Sequence, residues 1–223
     1  LAVAGTHGKT TTSALLAHLM KGQPSGCRAF IGGILVATRS NTVWSPNAKW
    51  TVVEADEFDR SFLHLQPTHA AITSADPDHL DIYGDIASFH EGFKAFAERI
   101  SGTLFLEADV CIEGVTGKRY GVTTSRQEAE AWHAAATALH IEDGWLTGNV
   151  WIGGGWHEGV RFPLAGVHNV KNALAALCLA EAAGAAVEAC LQRIGAFHGI
   201  ERRFAYHVRA DHGIYIDDYA HHP

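Results

Sequence analysis

The residues best equipped for chemistry stand at the start of the chain. Gly5-Thr6-His7-Gly8-Lys9-Thr10-Thr11 follows an apolar run, Leu1–Ala4, and opens an Ala/Leu-rich stretch, Thr11–Met20. Glycine at 5 and 8 lets the backbone turn so that successive N–H groups converge on an anion. A helix starting there directs its positive end at the same point. Lys9 supplies a cation for β- and γ-phosphate, and Thr10 a hydroxyl for Mg²⁺. The full GxxxxGK[ST] pattern requires glycine at position 3, which holds Val3, so the chain carries a shorter form. A bare glycine-rich turn with an exposed lysine is the competing reading. Gly-Lys-Thr-Thr-Thr opening a helix directly after a strand favours nucleotide binding, with Lys9 facing an empty site and adding little to the core.

Two acidic clusters extend this chemistry. Thr51-Val52-Val53 runs into Glu54-Ala55-Asp56-Glu57-Phe58-Asp59, four carboxylates in six residues. Open α/β sheets bind ligands at the carboxyl ends of their strands. Carboxylates there repel a triphosphate unless a divalent cation lies between, which implies Mg²⁺; a solvated acidic loop is the alternative. Glu54 directly follows the apolar run, whereas Glu57 lies in the loop itself. Ala70–Thr73 leads into Ser74-Ala75-Asp76-Pro77-Asp78-His79-Leu80-Asp81. Two roles suit His79, metal ligand and general base. Mg²⁺ prefers oxygen, so an imidazole ligand implies that Mn²⁺ can substitute.

Strands and helices must hold these loops in place. Apolar runs at 29–31 (closed by Gly32-Gly33), 51–55, 70–73 and 103–106 read as strands. Helical spacing over 88–100 puts Phe89, Phe93 and Phe96 on one face. Strands alternating with helices predict an α/β fold with a mostly parallel sheet flanked by helices. The texture changes near Ala131. Short strands at 138–141, 144–151 and 159–164 predict a small antiparallel β sublobe over about 131–164. A long helix over His168–Gly184 follows, ended by Gly184 as a C-cap. A second helix covers 187–194, and strands cover 205–208 and 213–216.

Composition narrows the function classes. The 223 residues are 47% hydrophobic and 18% charged, a globular balance that excludes a disordered tail or a coiled coil. Lys+Arg number 17 against 24 Asp+Glu, a net charge of −7, with no basic run. Nucleic acid and anionic membrane are therefore poor partners. No apolar segment is long enough to span a bilayer. Cys27, Cys111, Cys178 and Cys190 form no CxxC pair and read as reduced and structural, as in a cytoplasmic protein. The chain begins at Leu1 and its single Met is Met20, so a piece of a longer protein is expected.

Taken together, these stretches resemble the central ATPase domain of the Mur ligases, which build the peptide stem of peptidoglycan. The resemblance rests on Gly5–Thr12, on Glu54–Asp59 continuing through Ser61–Pro67, and on Asp78–Asp81. It continues through Gly166–Ala173 (Gly-Val-His-Asn-Val-Lys-Asn-Ala), then Arg202-Arg203-Phe204 with Asp217–Pro223. It implies a central ATP-binding domain over 1–216, the start of an amino-acid-binding domain at 217–223, and a UDP-sugar domain outside the chain. On that division the piece alone is expected to be inactive.

The resemblance also implies roles. Gly5, Thr6, His7, Gly8, Lys9, Thr10 and Thr11 would hold ATP phosphates. Thr10, Glu54 and His79 would hold Mg²⁺. His168, Asn169 and Asn172 would contact adenine, Asn169 and Asn172 sharing a helix face. Arg203 would reach the γ-phosphate and Asp218 the ribose. Tyr219 and His221 would lie near the amino-acid pocket. Lys9, His79 and Arg203 would be the catalytic set. The implied activity is an ATP-dependent amide ligase, in the branch that joins L-alanine to UDP-N-acetylmuramate. The alternatives are the murein-peptide recycling branch and a non-ligase nucleotide-binding module.

Overall fold

The computed structural model describes residues 1–77, 83–203, 205–210 and 213–217. Its first half comprises β1 (Ala2–Ala4), α1 (Lys9–Met20), β2 (Cys27–Leu35), β3 (Ser40–Trp44), β4 (Trp50–Ala55), β5 (Ala70–Ile72), α2 (Ile86–Ala97) and β6 (Leu104–Glu107). The second half comprises β7 (Lys118–Val122), α3 (Arg126–Ala131), β8 (Ala134–Glu142), β9 (Trp145–Ile152), β10 (Gly155–Phe162), α4 (Val167–Ala182), α5 (Val187–Ile194), β11 (Ala205–Ala210) and β12 (Gly213–Asp217).

Strands β1 to β10 form one sheet in the order β10-β9-β8-β7-β6-β5-β1-β4-β2-β3. Pairing is parallel from β2 through β4, β1, β5, β6 and β7 to β8. It is antiparallel for β2–β3, β8–β9 and β9–β10. Period-2 alternation then separates two cores. Leu1, Val3, Val52, Ala71 and Phe105 face one side, where the apolar surfaces of α1 and α4 lie. Ala2, Ala4, Ala55, Ala70, Ile72, Leu104 and Leu106 face the other, against the phenylalanines of α2.

The two helical faces reflect their sequences. Almost all of α1 is buried, its small Ala and Thr residues allowing close approach to both sheet and α4. α2 is amphipathic as its spacing predicts, and buries only Phe89, Phe93 and Phe96. Phe62 stacks on Phe96 at 5.2 Å and meets Phe93 edge-on at 5.5 Å. Asp85 caps the start of α2, accepting from the Ser88 amide at 2.7 Å. At the other end of the chain, Gly184 (φ 84°) closes α4. The Ala185 amide donates to Ala180 O at 2.9 Å and the Gly184 amide to Glu181 O at 2.8 Å.

Three features differ from the sequence reading. β2 does not stop at Gly32-Gly33 but runs through them to Leu35. A Cβ on Gly32 would stand 2.9 Å from Glu54 Oε2, and one on Gly33 2.7 Å from Ile200 Cγ2. These glycines serve close approach rather than a turn. The antiparallel region is the far end of the same sheet, joined by Tyr120↔Ala134 pairing. Finally, β3, β7 and α3 carry no strong sequence signal, being short and half-exposed. No helix among the described residues is long and apolar enough to cross a membrane.

Candidate functional site

Parallel pairing brings the carboxyl ends of β4, β1 and β5 side by side, so the loops that follow them meet. Gly5 (φ 126°) and Gly8 (φ 87°) adopt backbone conformations closed to other residues. Space forbids a side chain as well. A Cβ on Gly5 would be 2.5 Å from Thr73 Oγ1, and one on Gly8 2.3 Å from Asn172 Oδ1. The loop is fastened from β5: Thr73 Oγ1 donates to Ala4 O (3.0 Å) and His7 O (2.5 Å), and the His7 amide donates to Ser74 Oγ (2.8 Å). Thr6 Oγ1 donates to Asp76 O at 2.8 Å. Gly8 is the N-cap of α1 and offers no side-chain cap. The helix start can thus receive an anion.

Charged groups surround this loop. Lys9 Nζ donates to Glu57 Oε2 at 2.8 Å, Glu57 Oε1 at 3.0 Å and Gly5 O at 2.9 Å, with Asp56 Oδ1 at 3.6 Å. Its side chain is 15% exposed and that of Glu57 0%. Lys9 therefore does not face an empty site as the sequence reading had it; it neutralises a buried carboxylate. Glu57 is also tied through its main chain, accepting from Tyr83 Oη at 2.6 Å. Burial, then the Glu57 charge, pushes the Tyr83 phenol up to about 12. Glu54 lies at the end of β4, as expected. Its Oε2 accepts from Thr10 Oγ1 at 3.1 Å and its Oε1 from the Gly32 amide at 2.6 Å. Arg203 Nη2 reaches Thr10 Oγ1 at 3.5 Å.

A cavity of about 720 Å³ opens beside the loop, lined by His7, Gly8, Ser74, His168, Lys171 and Asn172 among others. Its wall includes the first turns of α4. Asn169 and Asn172 share one face, as their spacing predicts, and both are buried. Their amides bond within the protein: Asn169 Nδ2 donates to Ala165 O at 2.7 Å, and Asn172 Nδ2 to Asn169 Oδ1 at 3.4 Å. Asn172 Oδ1 accepts from Thr12 Oγ1 at 3.3 Å, linking α4 to α1. Sequence reasoning missed the neighbouring cluster in which Lys171 Nζ lies 2.8 Å from Glu107 Oε1 and 2.7 Å from Asp109 Oδ2. More than sixty positions separate Lys171 from these partners, and no local spacing announces them. All four cysteines are unpaired; Cys111 is exposed and lines the cavity, unlike buried Cys27, Cys178 and Cys190.

The fold thus gathers Gly5, Thr6, His7, Gly8, Lys9, Thr10, Glu54 and Arg203 at one sheet edge, with His168 and Asn172 on the cavity wall. Thr11 and Asn169 lie buried in the adjoining helices. His79, Asp218, Tyr219 and His221 lie outside the described residues. No group of three His, Cys, Asp or Glu side chains able to hold a metal ion occurs among the described residues. The Thr10 hydroxyl and Glu54 carboxylate, 3.1 Å apart, still fit a hard, oxygen-seeking cation as two of its ligands.

Residues 3–180 match the model of the Mur ligase middle domain. This chain belongs to the Mur ligase family. Among curated Mur ligases, the UDP-N-acetylmuramate–L-alanine ligase of Flavobacterium psychrophilum is 43% identical over 225 residues, covering 100% of this chain and 48% of that protein. The crystal structure of the UDP-N-acetylmuramate–alanine ligase MurC from Thermotoga maritima superposes with a TM-score of 0.85 at 27% identity, over 100% of this chain and 50% of that one. A murein peptide ligase from Psychrobacter arcticus gives a TM-score of 0.72 at 26% identity, over 100% of this chain and 52% of that one. The chain spans about half the length of the curated relatives it matches.

Proposed function

We propose that this Mur ligase chain is the ATP-binding part, over residues 1–216, of an enzyme that joins L-alanine to UDP-N-acetylmuramate in peptidoglycan precursor synthesis. The observation that carries the reading is 43% identity to a ligase so named along the whole chain. The murein peptide ligase of Psychrobacter arcticus is a more distant match than the alanine ligase of Thermotoga maritima, with a TM-score of 0.72 against 0.85. ATP and a nucleotide-sugar substrate make the cytoplasm the expected compartment.

The implied reaction converts the lactyl carboxylate to an acyl phosphate at the expense of ATP, and the alanine amine then displaces phosphate. This chain's part is positioning and charge neutralisation. The uncapped start of α1 would bind phosphate oxygens through its amides. Lys9, already held by Glu57, would turn its ammonium to the same oxygens without a large search. Arg203 would approach beside Thr10. Thr10 and Glu54 would hold Mg²⁺, or Mn²⁺ in its place, which neutralises charge on the phosphates when bound. His79 would complete the ligand set or act as a base on the amine. His168 and Asn172 would border the adenine, Asn169 would support Asn172, and Asp218 would meet the ribose. Tyr219 and His221 would approach the amino acid.

The test is phosphate release by the full-length protein with UDP-N-acetylmuramate and ATP, comparing L-alanine with the murein tripeptide. Alanine-dependent release is the expected result. Release only with the tripeptide would move the assignment to the recycling branch, and release with neither would remove the ligase reading.

A further inference from the structure

The segment that carries Arg203 is not independent of the acidic strand end. β2 pairs with β4 from Cys27 to Phe30; beyond that its pairing with β3 shifts register and resumes at Leu35↔Ser40. Its last residues also attach to the 199–201 segment. Leu35 bridges to Ile200, the Glu201 amide donates to Ile34 O at 2.8 Å, and the Val36 amide donates to Gly199 O at 3.2 Å. An Arg39–Glu201 ion pair adds to this attachment.

Ile200 is the pivot of this arrangement. It is 1% exposed and its Cγ2 fits the space left by Gly33, where a Cβ would stand 2.7 Å away. The same Cβ would press on Thr10 Cγ2 at 3.2 Å. On the other side of Ile200 the chain turns tightly, with Arg202 at φ 62° and the Arg203 amide donating to Ile200 O at 3.2 Å. A contact ring closes: Gly33 on Ile200, Ile200 on Arg203, Arg203 on Thr10, Thr10 on Glu54, and Glu54 on the Gly32 amide.

We propose that Ile200, seated in the hole at Gly33, is a positioning residue that sets the Arg203 guanidinium against Thr10 and so against the terminal phosphate of a nucleotide triphosphate. The inference rests on the phosphate-site reading above and deepens it. A methyl group at 33 has no room unless Ile200 or Thr10 yields, and packed side chains transmit such displacements. Arg203 follows Ile200 because its amide is bonded to it. The effect should fall mainly on the γ-phosphate, since Thr10 joins this ring through its side chain and the other residues at the start of α1 lie outside it.

The test is calorimetric titration of the full-length protein with ATP and with ADP, read as the ratio of the two affinities. Arg203→Ala should lower the preference for ATP by about tenfold, the effect of losing one charge-assisted hydrogen bond. Gly33→Ala should lower it comparably while leaving ADP affinity near parental. Adding Ile200→Leu, which removes the β-branched methyl but keeps the volume, should restore most of the ratio. If Gly33→Ala does not fold, Ile200→Ala tests the same link by opening a cavity instead of a clash. A folded Gly33→Ala or Ile200→Ala variant with the parental ratio, or with both affinities reduced equally, overturns the proposal. Lys9→Ala separates the two levels. It should weaken both nucleotides, and if it weakens neither, the phosphate-site reading falls and this inference with it.

Discussion

Two regions of the sheet use most of their glycines in opposite ways. At the carboxyl edge of β1 and β4, Gly5, Gly8, Gly32 and Gly33 each lie where a Cβ would come within 2.9 Å of another group. In the antiparallel region Gly154, Gly155 and Gly159 have nothing within 4 Å of such a Cβ, and the crowded Gly148 meets Leu139 Cδ2 at 2.6 Å and Thr137 O at 2.9 Å, with no charged group among its contacts. The first set lets backbones and polar side chains converge; Gly154 and Gly155 relieve the β9–β10 hairpin, and Gly159 lies at a register shift within β10. Polar groups divide the same way. The β1 edge buries Glu57 against Lys9, whereas the ion pairs of α3 and β10 lie mostly exposed. Crowding and buried charge together mark the first region as a built site and the second as scaffold.

The strongest way to break this contrast is Lys9→Ala. Phosphoryl transfer in the full-length protein should fall by about 3 kcal/mol or more of transition-state stabilisation. Because Glu57 is left buried and unpaired, the same substitution should also destabilise the fold by about 3–5 kcal/mol. Adding Glu57→Gln should recover much of the stability but none of the activity. Urea denaturation alongside a phosphate-release assay reads both. An unchanged urea midpoint in Lys9→Ala would mean that the buried pair contributes nothing.

Gly8→Ala comes next. It combines a left-handed backbone with a Cβ 2.3 Å from Asn172 Oδ1. Conformational strain alone costs about 1–2 kcal/mol, and displacing Asn172 adds the loss of its buried bonds, about 1–3 kcal/mol. Asn172→Ala removes only those bonds, so a loss of about 1–3 kcal/mol is expected, with a raised KM for ATP if the amide also borders adenine. An unchanged melting temperature with a raised KM would show that the Thr12 contact carries no stability.

The smallest effect belongs to the other end of the sheet. Gly154→Ala meets the same backbone constraint, at φ 76°, in open space. It should cost only the strain term, about 1–2 kcal/mol, and leave nucleotide affinity untouched. Should Gly154→Ala prove as damaging as Gly8→Ala, close approach would not be what distinguishes the two regions.

Much of the site was legible because it is local. The Gly5–Thr10 loop, Glu54 directly after Val53, and the i, i+3 pairing of Asn169 and Asn172 depend on a few consecutive residues. So does the alternation that sends Val3 and Ala4 to opposite faces of the sheet. Gly32 and Gly33 were misread because a strand glycine and a turn glycine look alike until the opposing atoms are known.

What the sequence by itself determined is the alternation of the principal strands and helices, the loop that can receive an anion, and the family to which the chain belongs. Those follow from periodicity and from motifs held within single segments. Only the tertiary structure decided that Lys9 is partnered by Glu57, that Lys171 sits between Glu107 and Asp109, and that Ile200 fills the space at Gly33. Each of these joins residues dozens or more than a hundred positions apart. The physical reason is that parallel strand pairing, not chain proximity, fixes which loop ends share a sheet edge, and buried charge and close packing take effect only after that edge is assembled.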